Sequence, residues 1–384
     1  MRKVIFVIGG DGFCGWPTSL KLASEGFDVV ILDNLSRRKI DLEQSTNSLT
    51  EISSIEDRIK TARKLVGNIS YEFCDIANNP LRLRSLIEKY KPFSIVHFGE
   101  QRAAPYSMID DNSRRYTVDN NVTGTHNLCS AIIDIDLDIN LVHLGTMGVY
   151  GYSKIFGAIP EGYLDIEIKS TANDASILYP ANPGSVYHLT KCLDQLIFQY
   201  YSKNWGLKVT DLHQGIVWGI ETSLTSLDQN LTNRFDYDGL YGTVLNRFIS
   251  QSCNNFPLTV YGTGGQARAF ININDTARCV QLAIENPSAD PHKVQIFNQV
   301  SEVKTVRQLA EMLSATTGVD IQQVNNPRNE LAENELEVAN DGLRSLGFDP
   351  ILLEDGLVND ILFIAEKTKS NFNPSIVLNS ARWK

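Results

Sequence analysis

Apolar positions along this chain fall into two patterns, and their alternation predicts the architecture. Short runs at Lys3–Ile8 and Asp28–Leu32 offer no polar face, the mark of strands buried on both sides of a parallel sheet. Further runs at Ile69–Cys74, Ser94–Phe98, Asn140–Leu144 and Lys208–Gln214 extend the series. Between them lie segments with helical spacing, through about Glu25, at about Pro80 to Tyr90 and Ser113 to Ile133, and in a long amphipathic stretch opening at Ser185. Five or six strands alternating with helices predict an α/β chain, a Rossmann-type doubly wound parallel sheet. From about Ile220 the pattern breaks into mixed segments. The expected division is a sheet domain at 1–219, which carries the Ser185 helix, and a smaller C-terminal α/β lobe at 220–384. Stretches such as Asp275–Glu285 are expected to return from the lobe to the sheet, and residues 41–66 read as a polar, mostly helical insertion without assignable chemistry.

Ligands of open α/β sheets bind at the carboxyl ends of the strands. The first strand runs directly into Gly9-Gly10-Asp11-Gly12-Phe13-Cys14-Gly15 and then a helix. Glycines 9, 12 and 15 permit a tight turn, close approach of a pyrophosphate to backbone N–H groups, and close helix–strand packing. The second strand ends in Asp33, about 20 residues on, where an acid binds the adenosine ribose hydroxyls. That predicts NAD over NADP: Arg37 and Arg38 follow and offer charge to a 2′-phosphate, but Asp33 would repel it. The two arginines otherwise read as a solvated loop face, with Arg37 also placed to stack on adenine. Asp75-Ile76 ends the third strand, near the expected adenine ring, and Asp11, Phe13, Cys14, Asn34, Phe98, Gly99 and Asn120 complete the predicted cofactor contacts. The loop Gly99–Met108 presents Arg102, an anion contact or a surface salt bridge, and Thr146 stands at the end of the fifth strand, placed to hydrogen-bond a reacting hydroxyl.

The Ser185 helix carries Tyr187 and Lys191. A spacing of four puts both on one helix face. A cation there favours the phenolate, so the pair can take a proton from a hydroxyl near neutrality. A second Tyr-x-x-x-Lys, Tyr150 to Lys154, sits in a glycine-broken turn and is expected to be incidental.

Composition narrows the partners. At 384 residues, 42% apolar and 21% charged, the chain has the make-up of an ordinary globular protein. Its net charge of −10 argues against nucleic acid or an anionic membrane surface, so an anionic ligand must be met by local arginines. The six cysteines are scattered without a C-x-x-C pair, which predicts reduced thiols and no metal site. The first strand begins at Lys3, leaving no room for a targeting peptide, and no apolar run is long enough to span a bilayer. A cytoplasmic protein is the expectation.

Together, Gly9-x-x-Gly12-x-x-Gly15, Asp33, Thr146 and Tyr187-x-x-x-Lys191 resemble the extended short-chain dehydrogenase/reductase family that acts on nucleotide-sugars. The resemblance implies that Tyr187, Lys191 and Thr146 remove the C4 hydroxyl proton while NAD takes hydride from C4. It further implies that Arg268 and Arg328 contact the nucleotide diphosphate, and that Gln214, Tyr106, Arg234, Thr259 and Gln299 belong to the substrate pocket. A homodimer, packed through the helices after Asp110 and after Ser185, is the family's usual state.

Blocks spanning most of the chain, among them His97–Asp110, Leu144–Gly148, Tyr187–Lys191 and Asn233–Asp238, resemble the branch that sulfonates UDP-glucose with sulfite. There C4 oxidation acidifies C5, the C6 hydroxyl leaves, sulfite adds at C6 and the hydride returns to C4. Related 4,6-dehydratases carry an Asp-Glu pair after the threonine, where this chain has Met147 and Gly148. His188 is the candidate replacement, because an imidazole serves as both acid and base; its bland alternative is lobe packing. Arg102 or His97 is expected to guide sulfite. The rival readings are a UDP-glucose 4-epimerase, a 4,6-dehydratase and a non-catalytic NAD-sensing relative.

Overall fold

β1 (Val4–Ile8) carries only apolar side chains and is an interior strand of a seven-stranded sheet in the computed structural model. The structure describes residues 3–135, 137–151, 157–168, 173–328, 330–368 and 371–378. With β2 (Asp28–Asp33), β3 (Ile69–Phe73), β4 (Ser94–His97) and β5 (Asn140–Leu144), the sheet order is Gln295–Gln299, Val209–Gln214, β5, β4, β1, β2, β3. Every neighbouring pair is parallel. The strand order reverses at β1, which pairs with β2 on one side and β4 on the other. The crevice of a doubly wound sheet opens there.

Six strands lie where the apolar runs predict them. The seventh, Gln295–Gln299, is a correction, because its residues 297–299 read as part of the lobe. Its ends are polar, yet it pairs in register with Thr210–Gln214 and buries Ile296 and Phe297. A strand this short, with two apolar residues, becomes recognisable only beside its neighbour. The helix expected over Ser113–Ile133 is also interrupted. It runs Asp111–Val118 and Gly124–Ile135 around a π-helical turn, Asp119–Thr123. Such turns recur at functional sites, and this one carries Asn120 and Asn121.

The second lobe has its own core, with Trp218, Phe235, Tyr237, Phe248 and Phe270 buried together. The 41–66 insertion, which offered no chemistry in the sequence, has a mechanical role. Helix Ser36–Gln44 and helix Ile55–Leu65 flank a strap whose Leu49 is fully buried in the lobe core. The Leu49 N–H donates to Phe235 O at 2.8 Å and Thr50 Oγ1 donates to Asn233 O at 2.7 Å. The strap thus fastens the sheet domain to the lobe. Among the described residues, no helix is long and apolar enough to cross a membrane.

Candidate active site

A cavity of about 770 Å³ lies over the carboxyl ends of β1, β4 and β5 and extends under the second lobe. At its floor the turns after β1 and β4 touch. Gly9 has φ +77°, and a Cβ there would stand 2.7 Å from Gly99 N; a Cβ at Gly15 would meet Gly9 O at 2.1 Å. The turn must therefore be bare backbone, the form of cradle that a pyrophosphate needs at a helix N-terminus.

Ion pairs lock this end. The Asp11 N–H donates to Asp33 Oδ2 at 3.0 Å, and the Asp11 carboxylate accepts from Arg38 at 2.6 and 2.9 Å and from Arg58 at 2.5 Å. Burial opposes ionisation of Asp11, but the two guanidiniums outweigh it and hold the carboxyl below its usual range. Arg58 is fully buried and lies 4.0 Å over the Trp16 ring. Burial and the neighbouring charge of Asp11 push Asp33 up to about 6. Arg38 is thus engaged by Asp11 rather than presented to a phosphate. Arg37 stacks 3.6 Å over Tyr241 and pairs with Asp41 and Asp236. Asp236 also holds Arg102 at 2.5 Å and Arg234 at 3.0 Å, while Arg234 reaches Asp41 at 2.7 Å. Three guanidiniums against two carboxylates leave the cavity wall positive, which answers how an acidic chain receives an anion.

The other end is built around Val186–Trp205. Ser185 caps this helix, its Oγ accepting from the His188 N–H at 3.2 Å, and Oγ also lies 3.1 Å from His188 Nδ1. Tyr187 lines the cavity with its ring 5.2 Å from that of His188, and Lys191 Nζ donates to Leu144 O at 2.7 Å. Thr146 Oγ1 accepts from the Gly148 N–H at 3.1 Å, which aims the hydroxyl end of β5 into the same space. A Cβ at Gly148 would stand 2.3 Å from both Cδ2 and Nε2 of His188. The imidazole occupies the room that any side chain at 148 would take. Burial, reinforced by Arg328 and Arg268, lowers the His188 pKa to about 3, so the ring is neutral at rest and a weaker base than a free imidazole.

Most of the predicted site residues line this one cavity: the glycine turn with Asp11, Phe13 and Cys14; Asp33, Asn34, Arg37, Ile76, Phe98, Gly99 and Asn120; and Arg102, Thr146, Tyr187, His188, Lys191, Gln214, Arg234, Arg268 and Arg328. Gln214 Oε1 is buried without a hydrogen-bond partner among the described residues, as an amide facing a ligand would be. Four stand off it. Asp75 accepts from Asn34 Nδ2 at 3.0 Å and from the N–H groups of Ala77 and Asn78, so it supports Asn34 and caps the turn. Tyr106 is buried against Tyr116 and Tyr241. Thr259 Oγ1 accepts from Gln251 at 2.8 Å, and Gln299 Nε2 donates to Thr276 O at 3.2 Å inside the seventh strand. His97 is also corrected. It is fully buried, 3.3 Å from Thr125 Oγ1 and with its pKa lowered to about 3 by burial, whereas Arg102 lines the cavity.

Sequence reading missed Arg247 and Glu100. Arg247 lies 4.4 Å from the Tyr261 ring and donates to Thr259 O at 3.1 Å. Its signal was an arginine on the otherwise uncharged helix Val244–Cys253. Tyr150 is core, its hydroxyl 2.5 Å from His213 Nδ1, and Lys154 lies outside the described residues.

The model of the NAD dependent epimerase/dehydratase family matches residues 5–298. A chloroplastic UDP-sulfoquinovose synthase of Spinacia oleracea is 41% identical over 100% of this chain and 80% of its own length. A UDP-sulfoquinovose synthase of Sulfolobus acidocaldarius is 36% identical over 99% of this chain and 97% of its own. Among solved structures, UDP-glucose 4-epimerase of Thermotoga maritima with UDP-glucose superposes with a TM-score of 0.71 at 21% identity, over 94% of this chain and 99% of that one. That last likeness speaks for the fold.

Proposed function

We propose, from the premise that this chain belongs to the NAD dependent epimerase/dehydratase family and within it to the UDP-sulfoquinovose synthases, that it makes UDP-sulfoquinovose from UDP-glucose and sulfite. NAD, when bound in the glycine cradle beside Asp33, supplies a hydride acceptor that is regenerated in each cycle. Thr146 hydrogen-bonds the C4 hydroxyl and Tyr187 takes its proton, with the Lys191 cation favouring the phenolate. The resulting C4 ketone acidifies C5. Neutral His188 accepts the C5 proton and, as imidazolium, delivers it to the departing C6 hydroxyl, which leaves as water. Sulfite, drawn as bisulfite by Arg102 and the positive wall around it, adds to C6; its proton passes through His188 to C5 of the resulting enolate, and C4 takes back the hydride as Tyr187 returns its proton. Met147, buried beneath this space, is packing.

The observation that carries this reading is the exchange at Gly148. A glutamate at 148 and the His188 ring would compete for one volume, which supports His188 as the proton carrier in place of the dehydratase pair. An epimerase would have no use for a group placed at that point.

The chain pairs with a second copy through an apolar stripe on Val186–Trp205, where Leu189, Leu196, Tyr200 and Trp205 are all exposed. Its six free cysteines suit a reducing compartment, the cytoplasm. The test of function is mass spectrometry of the products from UDP-glucose with and without sulfite. A sulfonated nucleotide-sugar formed only with sulfite is expected; UDP-galactose formed regardless of sulfite would refute the reading.

A further inference from the structure

Strands buried on both faces of a parallel sheet are expected to be apolar, yet three neighbours here break that rule in one row. His97, His143 and Asp211 are register partners across β4, β5 and Val209–Gln214, and each is at most 1% exposed. Their cost is offset by mutual pairing. His143 Nδ1 lies 2.8 Å from Asp211 Oδ1, and Nε2 lies 3.0 Å from Glu100 Oε1. The other oxygen of Glu100 is 2.9 Å from Lys191 Nζ. Asp211 Oδ2 in turn meets His213 Nε2 at 3.0 Å. A chain of alternating charge thus runs from the sheet interior to the catalytic lysine.

We propose that Glu100 is a positioning residue of the reaction: braced by His143 and Asp211, its carboxylate keeps Lys191 a fixed cation one helical turn from Tyr187. This rests on the proposed role of the Tyr187–Lys191 pair. Glu100, His143 and Asp194 come close enough together to suggest a metal site, but the Lys191 ammonium already stands among them, 3.0 Å from His143 Nε2.

Every charged neighbour of Lys191 enters the balance. Burial opposes the ammonium, and Glu100, Tyr187 and Asp194 outweigh it, holding the lysine above its ordinary value. Burial and Lys191 oppose protonation of His143, while Asp211 and Glu100 raise it to about 9. Asp194, one turn along the same helix, is pushed well up by burial and by Glu100, so its effect on Lys191 is smaller than that of Glu100. His97 lies 3.4 Å behind Glu100 and is held neutral by burial, and His213 touches the row only through Asp211. Glu100 is therefore the anion that decides the state of Lys191.

Glu100→Gln keeps the shape and removes the charge. Lys191 is then a buried amine without a counter-ion beside an imidazolium, and its folded pKa falls below the 10.5 of a free lysine. At Lys191 the unfolded chain then binds more protons than the folded one, so this contribution to stability rises with pH up to about 10.5. The support that His143 loses with Glu100, which the parent itself loses as pH passes about 9, narrows the deficit in the same direction. The Tm deficit of Glu100→Gln relative to the parent is expected to be largest near pH 7 and to shrink as pH approaches 10; a deficit constant across that range would overturn the inference. Lost packing alone cannot give this slope. If the variant does not fold near pH 7, Glu100→Gln/Lys191→Met, which leaves no buried ammonium, is expected to fold, and a double variant no more stable than the single one would equally overturn it.

The second readout is the rate at which UDP-glucose reduces the bound cofactor, followed by its near-ultraviolet absorbance. Glu100→Gln should lower it roughly ten- to hundredfold near pH 7, within the range a placed acid–base group supplies, and move the acid limb to higher pH. Glu100→Asp, which keeps the charge, should restore the position of that limb. An acid limb unmoved in Glu100→Gln overturns the role of Glu100. No cofactor reduction in the parent would instead refute the functional reading, and the melting series would still report on Lys191.

Discussion

The two ends of the cavity solve opposite problems. Around the glycine turn and Asp33, polar groups are saturated by one another: Asp11 binds two arginines and its N–H donates to Asp33. Around Thr146 and His188, the structure is organised by omitted side chains. Gly148 leaves room for an imidazole, and Gln214 keeps a buried carbonyl oxygen unpartnered among the described residues. Saturated ion pairs give rigidity, suited to a cofactor that stays. Space and unspent hydrogen-bonding capacity suit a substrate that must turn over, because interactions that exist only with the reacting species are those that accelerate it.

If the ends differ in this way, variants at the chemical end should cost turnover and variants at the cofactor end should cost stability. The largest effect is expected from Tyr187→Phe, which keeps the ring and removes the proton acceptor. Cofactor reduction by UDP-glucose should fall about a thousand- to ten-thousandfold with the Tm nearly unchanged; appreciable turnover would end the assigned role. Gly148→Ala comes next. Its methyl must displace the His188 ring from a contact of 2.3 Å, so exchange of the C5 proton should drop about a hundredfold while C4 oxidation, read as cofactor reduction, persists. At the opposite end, Arg58→Met leaves the reacting groups alone. It removes one guanidinium from buried Asp11 while Arg38 remains, and should destabilise by about 3 kcal/mol and let NAD escape on gel filtration. Unchanged retention of NAD in a folded Arg58→Met would erase the proposed contrast.

Legibility in the sequence followed the same division between local and distant pairing. β1 and the glycine turn are contiguous, and Tyr187 and Lys191 are one helical turn apart, so period and spacing display them. Asp33 was legible for the same reason, standing at a fixed distance from the turn. The supports of these groups were not. Glu100 meets His143 and Lys191 across separations of 43 and 91 residues, and no periodicity connects them. Arg58, in an insertion that reads as solvated helix, is fully buried against Trp16. The seventh strand carries too few apolar residues to announce itself before Val209–Gln214 is beside it. His188 was a candidate in the sequence, but the reason for its placement, a missing side chain at 148, is visible only in three dimensions. Thr259 and Gln299 show the reverse case: residues of the right type that do not line the cavity, the Thr259 hydroxyl being bonded to Gln251.

The central claim is that an imidazole fitted against Gly148 moves the C5 proton. The most direct measurement is deuterium incorporation at C5 of the nucleotide-sugar in heavy water, comparing the parent with His188→Gln. The account predicts that the parent incorporates deuterium and that His188→Gln still reduces its cofactor with UDP-glucose but incorporates at least about a hundredfold more slowly. Exchange at the parental rate in His188→Gln would contradict it and place the base elsewhere.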